Sequence, residues 1–152
     1  MTEFFPMVPV TGKAWVFLGG IAALMLGITA LILLMVWGAM RAGFEISPEG
    51  LHARGIVYGR KVPHSSLLLE RARHVNFRVD PDLRPRVRTN GIGLPGYLAG
   101  WIKLRNGEKA LAFLSDHSRV VYIPTTEGYS MMLSVGDPEI FLSRLREVAR
   151  TS

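Results

Sequence analysis

Hydrophobic and polar positions change their spacing three times along the chain. Residues 14–40 read AWVFLGGIAALMLGITALILLMVWGAM, with no charged side chain, between Lys13 and Arg41. About 20 apolar residues rising ~1.5 Å each cross the ~30 Å hydrocarbon core of a bilayer, so this run predicts one transmembrane helix. From Phe44 the pattern shifts to alternation. Phe44-Glu45-Ile46-Ser47 and Leu51-His52-Ala53-Arg54 flank Pro48-Glu49-Gly50 and predict a β-hairpin. Gly55 interrupts the phase, and a third strand is expected over residues 56–62. Pro63-His64-Ser65-Ser66 forms a short turn into Leu67-Leu68-Leu69. Residues 73–79 alternate, with Val75, Phe77 and Val79 opposite His74, Asn76 and Arg78. Further strands are expected at 98–105, 108–115, 119–123 and 129–134, where Tyr129, Met131 and Leu133 share one face. Asn106-Gly107 reads as a two-residue hairpin turn with positive φ at both positions. Residues 80–100 hold three prolines and four glycines. They predict a long loop, a functional candidate in a compact domain.

The last regime has helical spacing. Asp137 caps it, Pro138 suits its first position and Glu139 complements the N-terminal dipole. Phe141, Leu142, Leu145, Val148 and Ala149 form its apolar stripe. Antiparallel strands followed by one amphipathic helix imply a mainly β domain. Its sheet is expected to be curved or an open barrel, with the C-terminal helix covering an edge or end.

In the apolar run, Trp15 and Trp37 stand 22 positions apart, roughly 33 Å along a helix, as interfacial anchors do. Gly19, Ala23 and Gly27 fall four apart on one face, a spacing that permits close helix approach and is also common in membrane helices generally. A cleaved signal peptide would need a basic leader, a shorter core and a small-x-small exit. This chain has one basic residue ahead of a longer core, so a retained anchor is expected. Only Lys13 lies on one side, whereas Arg41, Arg54, Arg60 and Lys61 follow on the other. The Lys/Arg bias places the C-terminal domain in the cytoplasm, at the inner membrane of a bacterium. The Arg41–Gly43 tether is very short, so the domain is expected close to the headgroups.

Composition adds to this picture. In 152 residues the expected organisation is a head (1–13), a membrane helix (14–40) and one domain (44–150). Net charge is +6, and of the 18 Lys and Arg only Lys13 precedes the span. A basic domain beside a bilayer is suited to anionic headgroups; with the tether, nucleic acid is not expected. The absence of cysteine excludes disulfides and thiolate chemistry.

Catalytic or metal chemistry finds little support. His52, His64, His74 and His117 have no ligand-like spacing, so no metal or cofactor is expected. Asp116-His117-Ser118 contains triad residue types, but adjacent turn residues do not face one substrate, and a solvated turn is expected. The glycines of Gly91-Ile92-Gly93-Leu94-Pro95-Gly96 do not open a helix, unlike a dinucleotide loop. Arg71, Arg73, Arg78, Arg84, Arg86 and Arg88 are the one polar concentration, a candidate contact for anionic lipid or an acidic partner; a solvated face is the plainer alternative.

The order of elements resembles the pleckstrin homology (PH)-like fold. Residues 44–51 (FEISPEGL) look like the opening hairpin of bacterial PH domains. Residues 91–101 (GIGLPGYLAGW) and 119–125 (RVVYIPT) are similar to segments of membrane-anchored bacterial members, as are Leu133-Ser134, Asp137-Pro138-Glu139 and Phe141-Leu142. The resemblance implies a seven-stranded, bent β-sandwich capped by the C-terminal helix, and a non-enzymatic module that binds lipid, peptide or protein. Phosphoinositide-binding members carry a basic first hairpin loop and a tryptophan in the last helix. Here the loop is acidic and Phe141 is the packing substitute, which argues against that ligand. The expected function is to hold a protein partner, or further copies of the chain, at the inner membrane through residues 84–97 or an exposed strand edge. Anionic-lipid recognition by the arginines is the alternative.

Overall fold

A computed structural model of the chain describes all residues except 1, 2, 10, 42 and 56, and leaves the side chain of Ala39 undescribed. The chain divides into two compact units, Met1–Met40 and Arg41–Ser152.

The first unit is built on α1, Gly12–Met40, a single unbroken helix. It begins two residues before the uncharged run and takes in Lys13. Its span Gly12–Gly38 has a mean hydropathy of 2.5 and none of that surface is buried. Leu, Ile, Val and Phe side chains are exposed on all sides, as expected for a helix whose apolar surroundings lie outside the chain.

The second unit is mainly β. Strands β1 (Gly43–Ser47), β2 (Gly50–Arg54) and β3 (Arg60–Pro63) form an antiparallel three-stranded sheet. The expected first hairpin is present, with Phe44 opposite Ala53 and Ile46 opposite Leu51. β3 is shorter than the expected 56–62 strand. Ile56 lies outside the described residues, and Val57 and Tyr58 form a turn. A single 3₁₀ turn, His64–Ser66, follows.

The second sheet has six strands: β4 (Arg73–Val75), β5 (Pro85–Leu94), β6 (Tyr97–Leu104), β7 (Lys109–Leu114), β8 (Val120–Pro124) and β9 (Ser130–Ser134). Their order is β4-β8-β9-β7-β6-β5. Neighbours are antiparallel except β7 and β9, which run parallel with Leu111 beside Met131. The nine described strands exceed the seven implied by the resemblance, and β5 is a strand where the composition of residues 80–100 predicts a loop.

The six-stranded sheet is buried on both faces, so its central strands read as nearly continuous apolar runs. One face carries Ala99, Leu111, Phe113, Val121, Ile123, Met131 and Leu133, packed against Leu51, Ala53 and Val62 of the small sheet. Helix α2 (Pro138–Thr151) closes this core with Leu142 and Leu145. Asp137 caps α2 by accepting the Ile140 N–H at 3.1 Å. Phe141 meets Phe44 edge-on at 6.4 Å. The opposite face carries Ile102, Leu104, Ala110, Ala112, Leu114, Val120 and Met132.

Two turns differ from the sequence expectation. At residues 104–108 the Gly107 N–H bonds Leu104 O and the Leu104 N–H bonds Glu108 O. Gly107 alone takes positive φ, 89°, and no described non-glycine residue does. The loop therefore has three residues, a type I turn followed by a glycine in the left-handed region, and Asn106 needs no positive φ. The expected strand 73–79 stops at Val75. There the Asn76 side chain accepts the Arg78 N–H and its carbonyl accepts those of Val79 and Asp80, a local turn that competes with the ladder. Val79 consequently points outward, 77% exposed.

Candidate functional site

Residues 76–84 cross the second face of the large sheet as a strap. Phe77 and Leu83 point inward and are buried with Val75 and Leu104. Hydrogen bonds fasten the strap at several points. The Phe77 N–H bonds His117 O (3.1 Å), the Arg105 N–H bonds Arg84 O (3.0 Å), and the Asn106 N–H bonds Asp82 O (3.0 Å). A 3₁₀ turn at Pro81–Leu83 leads into β5. Prolines that sequence reasoning assigns to a loop therefore sit where strands tolerate them. Pro81 opens the 3₁₀ turn, Pro85 is the first residue of an edge strand, and Pro95 lies in the β5–β6 turn before Gly96, whose φ is 76°.

The six candidate arginines are distributed around this strap and its two flanking strands. Arg71 precedes β4. Arg73 on β4 is paired with Asp80 at 3.0 Å. Arg84 donates its Nε–H to Phe77 O. Arg78 is exposed on the strap, and its guanidinium has no hydrogen bond or ion pair among the described residues. Arg86 and Arg88 are exposed on β5. The Arg88 guanidinium lies over Gly93, where a Cβ would collide with it, beside the Leu98 side chain. The strap and the β7–β8 turn enclose a cleft of about 630 Å³ that includes Phe77, Arg78, Arg84, Leu98, His117 and Ser118. Two of the six arginines thus reach one hollow. Arg71 and Arg73 lie at the β4 edge, the opposite end of the sheet from β5.

In the same turn, Asp116 accepts both the N–H and the hydroxyl of Ser118, at 2.8 and 2.7 Å. The Ser118 hydrogen bonds, with a smaller contribution from Arg119, hold its carboxyl below the usual carboxylate range. The Ser118 hydroxyl is therefore turned to Asp116, and the His117 ring rests against Phe77 at 5.6 Å. No serine–histidine hydrogen bond of a nucleophilic site occurs among the described residues.

β5 pairs with β6 on one side, and its other side has no strand among the described residues. Bulges between Pro85 and Val87 and between Arg88 and Asn90 bend it. Gly91 and Gly100 then approach so closely that a Cβ on either would lie 2.5 Å from the other strand's backbone. Asn90 is tied to the body of the domain by the Tyr58 hydroxyl at 2.9 Å.

Three further polar features were not legible as constellations. Glu108 accepts both Tyr122 and Ser130 hydroxyls on the second face, although its chain neighbours mark only a hairpin. Trp101 meets Tyr129 at 5.1 Å and has two cations near its ring, Lys109 at 4.5 Å and Arg60 at 5.8 Å. His64 bonds Ser47 O through Nε2 at 2.8 Å, while its Nδ1 is buried without a partner, in a groove of about 690 Å³ beside Arg146 and Arg150. Gly19, Ala23 and Gly27, with Trp15 and Trp37, all lie on α1, and nothing approaches within 4 Å of where a Cβ would stand on Gly19 or Gly27.

The family model of the bacterial PH domain matches residues 43–149, from the first residue of β1 into the last turn of α2. The chain belongs to the bacterial PH domain family. No curated protein and no solved structure gives a match to the chain. PH-like domains are typically non-catalytic, and membership supports a binding or interaction module in general. In one chain, a bacterial PH domain thus follows α1, a helix long and apolar enough to be a candidate membrane span.

Proposed function

We propose that this protein is a non-enzymatic, single-pass membrane module, with residues 14–40 as anchor and 44–150 as binding domain. It holds an acidic, extended segment of a protein partner along the free edge of β5, at the inner face of a bacterial membrane. The observation that supports this is the edge itself. β5 is ten residues long, unpaired on one side, and carries Arg86 and Arg88 exposed and without ion pairs among the described residues. Strand addition draws affinity from main-chain hydrogen bonds and specificity from side chains. Two arginines on the edge select a negatively charged strand.

The test is a photo-crosslinking residue at Val87, with Arg144 on α2 as control, in intact membranes. A discrete adduct is expected from Val87 and not from Arg144. Its crosslinked peptide should contain Asp or Glu, and Arg86→Glu with Arg88→Glu should abolish it. An adduct made only of this chain would replace the partner with self-assembly, and no adduct at Val87 would sink the reading. A second reading, contact with anionic lipid, draws on the exposed Arg78, Arg86 and Arg88. It requires salt-dependent binding to anionic vesicles that weakens when Arg86 and Arg88 become Ala.

A further inference from the structure

We infer that the strand added to β5 is itself two-sided, apolar on the face that continues the first core and acidic on the opposite face. This rests on strand addition at the β5 edge and names what the added strand has to carry. Register sets the two faces, so composition alone does not reveal them.

Directly opposed residues of paired strands lie on the same face. On β6, Trp101, Ala99 and Tyr97 pack with the first core, whereas Ile102 and Leu98 pack with the second. On β5, Asn90, Ile92 and Leu94 stand opposite Trp101, Ala99 and Tyr97, and so share the first face. The Tyr58–Asn90 hydrogen bond agrees, since Tyr58 packs against that core. Val87 is opposite Lys103, which falls between Ile102 and Leu104 of the second core, so Val87 joins the first face. Arg88 and Gly93 stand opposite Ile102 and Leu98, on the second face.

By chain order alone these groupings would not form. In an unbroken strand an odd spacing, as from Val87 to Ile92 or from Arg88 to Gly93, puts the two residues on opposite faces. The bulge between Arg88 and Asn90 adds one residue and returns each pair to one face. The Arg88 guanidinium lying over Gly93, where a Cβ would strike it, is the direct sign of that shift.

The free edge therefore has two unlike sides. On the first, Val87 is 53% and Leu94 41% exposed, with Ile92 half-buried between them. On the second, residues 90–94 contribute only Gly91 and Gly93, and the charge of Arg88 lies along them without an ion pair among the described residues. Side chains of an added strand alternate between the same two faces. Those beside Val87, Ile92 and Leu94 gain by burying apolar surface. Those beside Arg88 gain from opposite charge. A strand acidic on both sides leaves the apolar row wet, and one apolar on both sides covers Arg88 without pairing it. The occupant that satisfies both sides alternates acidic and apolar residues.

The experiment measures binding of fluorescently labelled peptides to the full chain in phosphatidylcholine nanodiscs by anisotropy. One heptapeptide alternates Glu and Val, a second alternates Glu and Ser, and a third has the Glu–Val composition with its valines in one run. The alternating Glu–Val peptide should bind about tenfold tighter than either of the others, since it alone buries the apolar row while facing Arg88 with acid. Leu94→Asn should weaken the Glu–Val peptide about fivefold and leave the Glu–Ser peptide unchanged. Ile140→Asn, exposed on α2, should change neither. The Leu94 side chain is at the surface, so its variant should keep the wild-type circular dichroism spectrum. No binding of the Glu–Val peptide, equal binding of either control peptide, or an unchanged Glu–Val affinity in Leu94→Asn would overturn the inference. The Val87 crosslink in membranes depends on the edge alone. An adduct there beside any of those failures leaves strand addition standing and removes the two-sided requirement, whereas no adduct removes both.

Discussion

Substituting Gly100 by Ala separates two physical demands that meet at one position. Gly100 has φ of 128°, which L side chains rarely adopt, and its added Cβ would lie 2.5 Å from both Asn90 O and Gly91 Cα. Forcing a non-glycine residue into such a region costs about 1–3 kcal/mol. Overpacking against backbone that must move adds about 1–3 kcal/mol. Together these give about 4 kcal/mol, and at about 4 °C per kcal/mol for a domain of this size the melting temperature should fall by about 15 °C. The assay is thermal unfolding of the full chain in detergent, followed by near-ultraviolet circular dichroism, which reports the aromatic packing of the β domain. Gly91→Ala isolates the steric part, because its Cβ would meet Ala99 O at 2.5 Å without positive φ. Gly107→Ala isolates the conformational part, with φ of 89° and nothing within 4 Å. Each should cost less than Gly100→Ala. A Gly100→Ala variant no less stable than Gly107→Ala would refute the close β5–β6 approach and, with it, the strand assignment that creates the free edge.

Leu145→Ala should destabilise the domain by about 2–5 kcal/mol in denaturant titration, because Leu145 is fully buried where α2 closes the first core. Asp137→Ala should cost about 1 kcal/mol through loss of the cap to Ile140, measured the same way, and Asp137→Asn should recover most of it. Stability should fall at alkaline pH. Burial raises the phenol pKa of Tyr97, Tyr122 and Tyr129 above the ordinary value of 10.0. The stabilisation is therefore complete below the unfolded value and is lost as pH rises through the folded ones. Ultraviolet titration should show these phenols ionising later than in the unfolded chain; ionisation at or below the unfolded value would contradict their burial.

The elements that could be read from sequence are those whose local and tertiary preferences agree. The β1–β2 hairpin follows from alternation about Pro48-Glu49-Gly50. Helix α2 follows from a cap, an N1 proline and an apolar stripe that the core uses as written. Composition averaged over residues 80–100 reads as a loop and hides β5. Position, not content, decides there: Pro85 starts the strand, Pro95 turns it, and Gly91 is small because Gly100 comes to meet it. That contact belongs to the pairing of two strands and leaves no local periodicity. The arginines were visible as a cluster, but their grouping was not. A strap that crosses a sheet face brings Arg78 and Arg84 together and sends Arg71 and Arg73 to the far edge. Likewise Glu108 ends the turn before β7, Tyr122 lies on β8 and Ser130 on β9, and they meet only through the β9 insertion between β7 and β8.

Arg86 and Arg88 bear on how the free β5 edge should be understood. A long unpaired edge is a template for pairing with any extended chain, and proteins blunt such edges with charge, bulges and proline. β5 has all three: Arg86 and Arg88, bulges on either side of the Val87–Arg88 pair, and Pro85 at its start. These features disfavour two copies meeting β5 to β5, since that would bring four guanidinium groups together. They do not disfavour an acidic strand, whose charges would be complementary at the same positions. Protection against self-pairing and selection of a different, acidic partner therefore follow from the same side chains. On the proposed reading, neutralising both with Arg86→Gln and Arg88→Gln should weaken the partner and strengthen self-association. A solvated face with no partner predicts the second change without the first, so measuring crosslinked heteromer and homodimer in one membrane preparation separates the two accounts.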